Sequence, residues 1–333
     1  MLQVKLAGVK QIITNEVSEL NPPEPGWATV ETKAVGICGS EMHVYLGENP
    51  VLSPPRIQGH EFSGVVKAIN GESQIKVGDT VTVNPVVACG ICQSCKDGKR
   101  YLCDKAYVIG GEVTGAFAGE VYVPIRNLVP VDKKLSFCAA TLIEPTSVAV
   151  HTVGNLRNQT ILIIGQGAIG LLCLQVALQN GNRVITMDVS DQVLAVSLKL
   201  GSVKTINSKT QNAAKELEEF LGGEPLNAII DVVCAPVTIG FSIDHVQKGG
   251  TIIVVGIPQS NFAFDLVKLL CKEIKLHTSY LYSEEDFLKA RSLVDERVIN
   301  EQAIISKRFP FENTADAFEY KLNVPSIKVV VEK

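Results

Sequence analysis

No stretch of this 333-residue chain stays apolar for the roughly 20 residues that a helical membrane span requires. Runs of like charge are missing too. The 31 Lys and Arg stand against 35 Asp and Glu, giving a net charge of -4 and a pI near 5.8. A nucleic-acid surface needs a basic stripe, and this balance argues against one. The opening residues Met1-Leu2-Gln3-Val4-Lys5 lead into an alternating, strand-like segment. An apolar core followed by a small-residue cleavage site is not seen there, so no signal peptide is expected and a cytoplasmic, reducing setting is. Internal repeats, low-complexity tracts and disordered linkers are absent as well. The remaining composition, 46% hydrophobic and 20% charged, is that of a globular protein with a large core. Its length suits roughly two domains.

Cysteine, by contrast, is plentiful. Five of the nine (Cys38, Cys89, Cys92, Cys95 and Cys103) fall between positions 38 and 103. In a reducing setting such clustering suggests metal before disulfide. Cys89-Gly90-Ile91-Cys92-Gln93-Ser94-Cys95, then seven residues and Cys103, places four thiolates where they can close a tetrahedron around one zinc. A closed tetrahedron leaves no position for a substrate, so this lobe, about 88–104, is expected to be structural. Two disulfides are the competing reading. Cys138, Cys173, Cys234 and Cys271 stand apart in apolar surroundings and read as core cysteines.

The first part of the chain is a series of short β segments, such as Trp27–Val30, Gly64–Ile69, Thr80–Val83 and Glu120–Val123, broken by Pro and Gly turns. That is the pattern of a partly open β-barrel. The middle alternates strands (Thr160–Ile164, Arg183–Asp188, Lys204–Ile206, Asn227–Val233, Thr251–Val255) with helical stretches (Ala168–Asn180, Asp191–Leu200, Asn212–Leu221, Thr238–Val246). Such alternation indicates an α/β, doubly wound parallel sheet. After about Ser283 the pattern weakens, although Ala315–Leu322 looks helical and Ile327–Val331 is a final strand expected to return to the first domain. The expected division is 1–148 with 284–333 as one domain and 149–283 as the other.

Strand Ile161–Ile164 runs directly into Gly165-Gln166-Gly167-Ala168-Ile169-Gly170. This G-x-G-x-x-G after a strand and before a helix is a dinucleotide fingerprint: Gly165 for the tight turn, Gly167 for approach of the pyrophosphate, Gly170 for close packing of helix on strand. The alternative, glycines for packing only, is weaker because an acid also stands at the end of the second strand. Asp188 can accept the ribose hydroxyls and would repel a 2′-phosphate, and Val189-Ser190-Asp191-Gln192 offer no cation for one. NAD is therefore expected rather than NADP. Ala168, Ile169, Val255, Gly256 and Ser279 complete the expected cofactor contacts.

Two further clusters are Gly36-Ile37-Cys38-Gly39-Ser40-Glu41-Met42-His43 and Gly59-His60-Glu61. Alone, a Cys is usually a small buried hydrophobe and a His beside a Glu a surface or core pair. Together they offer a thiolate, an imidazole and a carboxylate, the donor types of a catalytic zinc with an open position.

With these clusters, the four-cysteine lobe and the Gly165–Gly170 fingerprint in this order, the chain resembles the zinc-dependent medium-chain alcohol dehydrogenases over nearly its whole length. The resemblance implies a GroES-like catalytic domain and a Rossmann cofactor domain. It implies a catalytic zinc on Cys38 and His60, with Glu61 bound or exchanging with water, a structural zinc on the lobe, and NAD. Ser40 would take the substrate proton and pass it through the nicotinamide ribose to His43. Glu144, in Ile143-Glu144-Pro145, stands where simple alcohol dehydrogenases carry Cys and the polyol and threonine branches carry Glu. The resemblance is to the branch holding polyol dehydrogenases, hexonate 5-dehydrogenases and the starvation-sensing type. The implied substrate is a sugar acid such as L-gulonate or L-galactonate, then sorbitol or galactitol phosphate, then L-threonine. Tyr280 occupies a position where relatives often have Arg, leaving Arg56 as the candidate cation for a substrate carboxylate. A non-enzymatic NAD sensor and a zinc-free enone reductase compete less well, since neither needs the zinc-binding residues. A homodimer or homotetramer is expected, with Thr251–Ile257 as the sheet edge.

Overall fold

A computed structural model describes residues 1–258 and 261–333. The chain divides into two compact units, residues 1–147 with 283–333, and residues 148–282.

The first unit is built on a seven-stranded sheet in the order Ile305–Pro310, Lys328–Glu332, Trp27–Ile37, Glu61–Asn70, Thr80–Val83, Leu128–Pro130, with Glu120–Pro124 also paired to Trp27–Ile37. The long strand Trp27–Ile37 is the pivot. One side pairs with Glu61–Asn70 along its length, while the other is shared by Glu120–Pro124 (27–31) and Lys328–Glu332 (34–37). Irregular register at Thr29/Val30 and Thr32/Ala34 bends it, as bulges do, so that it serves both partners. Alternating inward residues (Val30, Val35, Ile37, Phe62, Val66, Val81, Val83) fill the core between the strands. The final strand does return to this first sheet, although its bounds sit one residue later than the sequence suggested.

The second unit is a six-stranded parallel sheet in the order Lys204–Asn207, Arg183–Asp188, Thr160–Ile164, Ala228–Asp231, Thr251–Val254, Lys275–Thr278. Its central strands read as unbroken apolar runs because helices cover both faces. The helix Ala168–Gln179 is buried from Gly170 to Ala177, and the chain after it turns at Gly181 (φ 77°). The strand order reverses between Thr160–Ile164 and Ala228–Asp231, which makes the carboxyl ends of these two strands the place for a ligand.

Several expectations need correction. Thr251–Ile257 does not supply a sheet edge: Thr251–Val254 lies inside, paired on both sides, and among the described residues the edge strands are Lys275–Thr278 and Lys204–Asn207. Strand Asn227–Val233 is shortened to Ala228–Asp231, because the Asp231 carboxylate accepts the N–H groups of Val233 and Cys234 (both 2.9 Å) and turns the chain. Cys138, Cys173 and Cys234 are buried, but Cys271 is exposed: among the described residues, Leu269 is the member of its short helix Leu266–Cys271 that packs on the core. Where the pattern was expected to weaken, Ser283 instead caps a twelve-residue helix, Glu284–Asp295, by accepting the Asp286 N–H at 3.1 Å.

Candidate metal and cofactor sites

Strand Trp27–Ile37 delivers the chain to Cys38, the N-cap of helix Gly39–Leu46. Gly36 lies opposite Glu61 in the register, and a Cβ there would stand 2.3 Å from Oε2 of Glu61, so a larger residue would displace that carboxylate. Glu41, in the first turn of the helix, folds back over this corner. Its Oε2 accepts the Cys38 N–H at 2.7 Å, its Oε1 accepts the Gly59 N–H at 3.0 Å, and Oε1 lies 2.9 Å from Nδ1 of His60. With Nδ1 beside Glu41, the ring is fixed in orientation, and the Cys38 thiol is a hydrogen-bond partner of the imidazole. The donor atoms of Cys38, His60 and Glu61 all lie within 4.8 Å of one another. A thiolate, an imidazole oriented by a buried carboxylate and a second carboxylate fit a zinc ion with one open position.

The charges around this corner are paired. Both oxygens of buried Glu61 accept from Lys328 Nζ, at 2.6 and 2.7 Å. Burial alone would lower the pKa of Lys328, but the Glu61 carboxylate and the Cys38 thiol outweigh it and raise it. Burial would likewise depress His60, yet Glu41 and Cys38 hold it well above its ordinary value. Burial would raise Glu41, and His60 with the Cys38 N–H lower it instead. A second lysine, Lys321 on helix Thr314–Asn323, is pushed down to about 8 by burial and by Lys328. Its Nζ donates to the Ile327 carbonyl at 3.4 Å.

Half-buried Ser40 and exposed His43 sit three apart on helix Gly39–Leu46, and His43 Nδ1 is 3.3 Å from Oε2 of Glu48. Glu144 is buried in the first turn of helix Ile143–Val153 and is not one of the three clustered donors. Arg56 braces its own loop, donating from Nε to the Ser53 carbonyl at 2.7 Å and from its guanidinium to the Gly111 carbonyl. Tyr280 is exposed. Glu41, Lys328 and Lys321 were not singled out in the sequence. Only Glu41 left a signal, its position three residues after an N-cap.

In the lobe, the Sγ atoms of Cys92 and Cys95 are 3.5 Å apart, those of Cys103 and Cys89 3.5 Å, and those of Cys89 and Cys95 3.9 Å. A zinc–sulfur tetrahedron with bonds of about 2.3 Å has edges of about 3.8 Å, so the four thiols fit the ion. They are far beyond the ~2.0 Å of a disulfide, and all are free. Gly90 (φ 78°) and Gly98 (φ 76°) allow the tight wrapping. Backbone N–H groups of Ile91 and Cys92 pull the Cys89 thiol down to about 6, while burial pushes Cys95 up to about 11.

In the second unit, Gly165 has φ 90°, and a Cβ on Gly170 would come 1.8 Å from the Gly165 carbonyl oxygen. A Cβ on Gly167 would meet nothing within 4 Å, so this side of the turn is open where a pyrophosphate would approach the N-terminus of helix Ala168–Gln179. Asp188 accepts the N–H of Gln166 at 2.6 Å on one oxygen, and those of Val189 (2.7 Å) and Ser190 (2.9 Å) on the other. The Val255 N–H donates to the Asp231 carbonyl, and Gly256 packs where a Cβ would lie 2.6 Å from the Val232 carbonyl oxygen. Ser279 Oγ is 2.9 Å from Thr152 Oγ1. The turn fits a dinucleotide.

Residues 24–133 match the family model of the alcohol dehydrogenase GroES-like domain, and residues 168–296 that of the zinc-binding dehydrogenases. L-galactonate-5-dehydrogenase of Escherichia coli K12 is 30% identical over 308 residues, 90% of this chain and 89% of its own length. Sorbitol dehydrogenase of Bacillus subtilis 168 is 29% identical over 333 residues, covering 96% and 93%. The solved alcohol dehydrogenase RspB of E. coli CFT073, complexed with NADH, superposes with a TM-score of 0.91 at 28% identity, over 100% of this chain and 99% of that one. The chain belongs to the zinc-dependent medium-chain alcohol dehydrogenases. It is an NAD(P)-dependent oxidoreductase acting on a CH–OH group, with zinc and the dinucleotide as cofactors.

Proposed function

We propose that this enzyme oxidises a secondary hydroxyl of a small sugar acid or polyol, with NAD as acceptor and a hexonate such as L-galactonate or L-gulonate, oxidised at C5, as the lead substrate. The observation that carries the reading is the Cys38, His60 and Glu61 trio, held in place by Glu41. The similarity to L-galactonate-5-dehydrogenase and the Glu at position 144 support the substrate class. A sorbitol- or galactitol-phosphate-type polyol is the second reading, and L-threonine the third.

Cys38 and His60 would hold the catalytic metal with Glu61 or Glu144, and the lobe cysteines would hold a second, structural one. When bound, the catalytic zinc would supply Lewis-acid polarisation of the substrate hydroxyl, and NAD would supply the hydride acceptor. Glu41 fixes the tautomer and orientation of His60. Ser40 takes the substrate proton, and exposed His43 beside Glu48 releases it to water. Asp188 favours NAD, since its charge opposes a 2′-phosphate. The polypeptide works as a homodimer or homotetramer.

An NADH-absorbance screen over hexonates, polyols and amino-acid alcohols tests this. The expected result is the highest kcat/KM with a hexonate, a clear preference for NAD over NADP, and loss of turnover in Cys38→Ser with NADH binding kept. Full activity of Cys38→Ser would remove the proposed metal site. NADP reduction as efficient as that of NAD would remove the role given to Asp188.

A further inference from the structure

Gln166 lies between the two leading glycines of the phosphate turn, yet its side chain is fully buried. A buried primary amide is costly unless each of its polar atoms is bonded. Here Nε2 donates to the carbonyls of Ile163 (3.0 Å) and Gly165 (3.1 Å), and Oε1 accepts the hydroxyl of Ser197 at 3.1 Å. Ser197 is itself fully buried, on helix Asp191–Lys199, which begins three residues after Asp188. The Gln166 N–H donates to Asp188 as well. One residue thus ties the end of strand Thr160–Ile164, the start of the turn, the ribose carboxylate and the following helix together.

From this geometry we propose that Gln166 and Ser197 form a clamp that positions the phosphate turn and thereby sets the affinity for NAD. Gln166 is a positioning residue: its amide holds the Gly165 carbonyl, the oxygen against which Gly170 packs, and so fixes the direction in which the turn offers its N–H groups. Ser197 completes the clamp from the helix side. Its hydroxyl is also 3.1 Å from the Val193 carbonyl, so its proton is shared between that carbonyl and Gln166 Oε1. A turn ordered in advance spares the cofactor the cost of ordering it, so loss of the clamp falls on cofactor binding.

The proposal rests on the dinucleotide reading of this turn. The test is NADH titration by fluorescence on the zinc-loaded enzyme, with Gln166→Met, Ser197→Ala, the double variant and Ser197→Thr. Each of the first two should weaken NADH binding about five- to tenfold. The double variant should lose no more than the weaker-binding single one, because both break one unit. Ser197→Thr keeps a hydroxyl and should restore affinity. KM for NAD should rise with Kd while kcat at saturating NAD and zinc content change little. A fall in melting temperature with NADH affinity kept within twofold would show mere packing and overturn the clamp. Losses that multiply in the double variant would overturn it too. Should Gln166→Met fail to fold, the Ser197→Ala and Ser197→Thr pair decides alone. Failure of the unaltered enzyme to bind NADH would instead remove the cofactor reading, and the clamp with it.

Discussion

Glu41 bonds two backbone N–H groups and one imidazole at once, and this explains both its burial and its expected effect on the metal. In Glu41→Gln the shape is kept but the charge is lost, and one of the three donors then faces an amide N–H. Zinc retention at Cys38/His60 should fall about 10–100-fold while the lobe keeps its ion. Zinc per chain after dialysis against a competing chelator measures this, and two ions retained would refute it. The pH dependence follows from the same pair. In the metal-free protein His60 has a raised pKa and Glu41 a lowered one. The ion pair therefore stabilises fully from about pH 4.5 to 6.5, fades in acid as pH falls through the Glu41 value, and fades in alkali as pH rises through the His60 value. Zinc needs the neutral ring, so its affinity weakens as pH drops below the raised His60 value. Lys321 offers a second residue-scale prediction. Arg56 is committed to loop carbonyls, whereas Lys321, at about 8, is electrostatically coupled to Cys38 and Glu61. If it receives a substrate carboxylate, KM for hexonates should climb as pH passes about 8 while KM for polyols does not. Lys321→Met should abolish that difference and raise the hexonate KM about tenfold, roughly the 1.5–3 kcal/mol of a charged hydrogen bond at its low end.

Among the elements, the lobe depends most on a single ion. Its apolar cluster consists of Ala88, Ala106 and the four cysteines themselves, so the metal takes the place of a core. Cys95→Ser should reduce zinc from two ions per chain to one and open residues 88–104 to limited proteolysis, with NADH binding retained. Unchanged protease resistance would show that the lobe holds itself. These four thiols were legible in the sequence because the tetrahedron is closed by local spacing. Strands Thr160–Ile164 and Arg183–Asp188 were legible to the residue, because a strand buried on both faces is a short, mainly apolar, β-branched-rich run, ended here by Gly165 or by a polar turn. Helix Leu266–Cys271 and strand Lys275–Thr278 were not. Their apolar residues are largely exposed, so no buried face imposes a period. Lys328 was hidden for another reason: it meets Glu61 across 267 residues of sequence, and only the return of the last strand to the first sheet brings them together.

At the scale of the molecule, the open edge of the parallel sheet bears on assembly. Among the described residues, strand Lys275–Thr278 has a strand neighbour on one side only, and next to it a groove of about 610 Å³ is lined by Leu266, Leu269, Leu270 and Ile274. Leu266, Val267 and Leu270 are 64%, 71% and 73% exposed on the six-residue helix that precedes the strand, too much apolar surface for so short an element that faced only water. An unpaired edge beside an apolar patch is a surface that proteins cover, and a two-fold copy covers both at once by meeting like with like. Light scattering on the eluting enzyme should give a dimer or tetramer at micromolar concentration. Val267→Glu combined with Leu270→Glu should shift it toward monomer. Because both side chains are exposed, each change should cost the fold of a single chain no more than about 0.5 kcal/mol, so NADH titration of the monomer should show the second unit intact. An unaltered enzyme that elutes as a monomer, or a double variant that stays assembled, would place the association elsewhere or remove it.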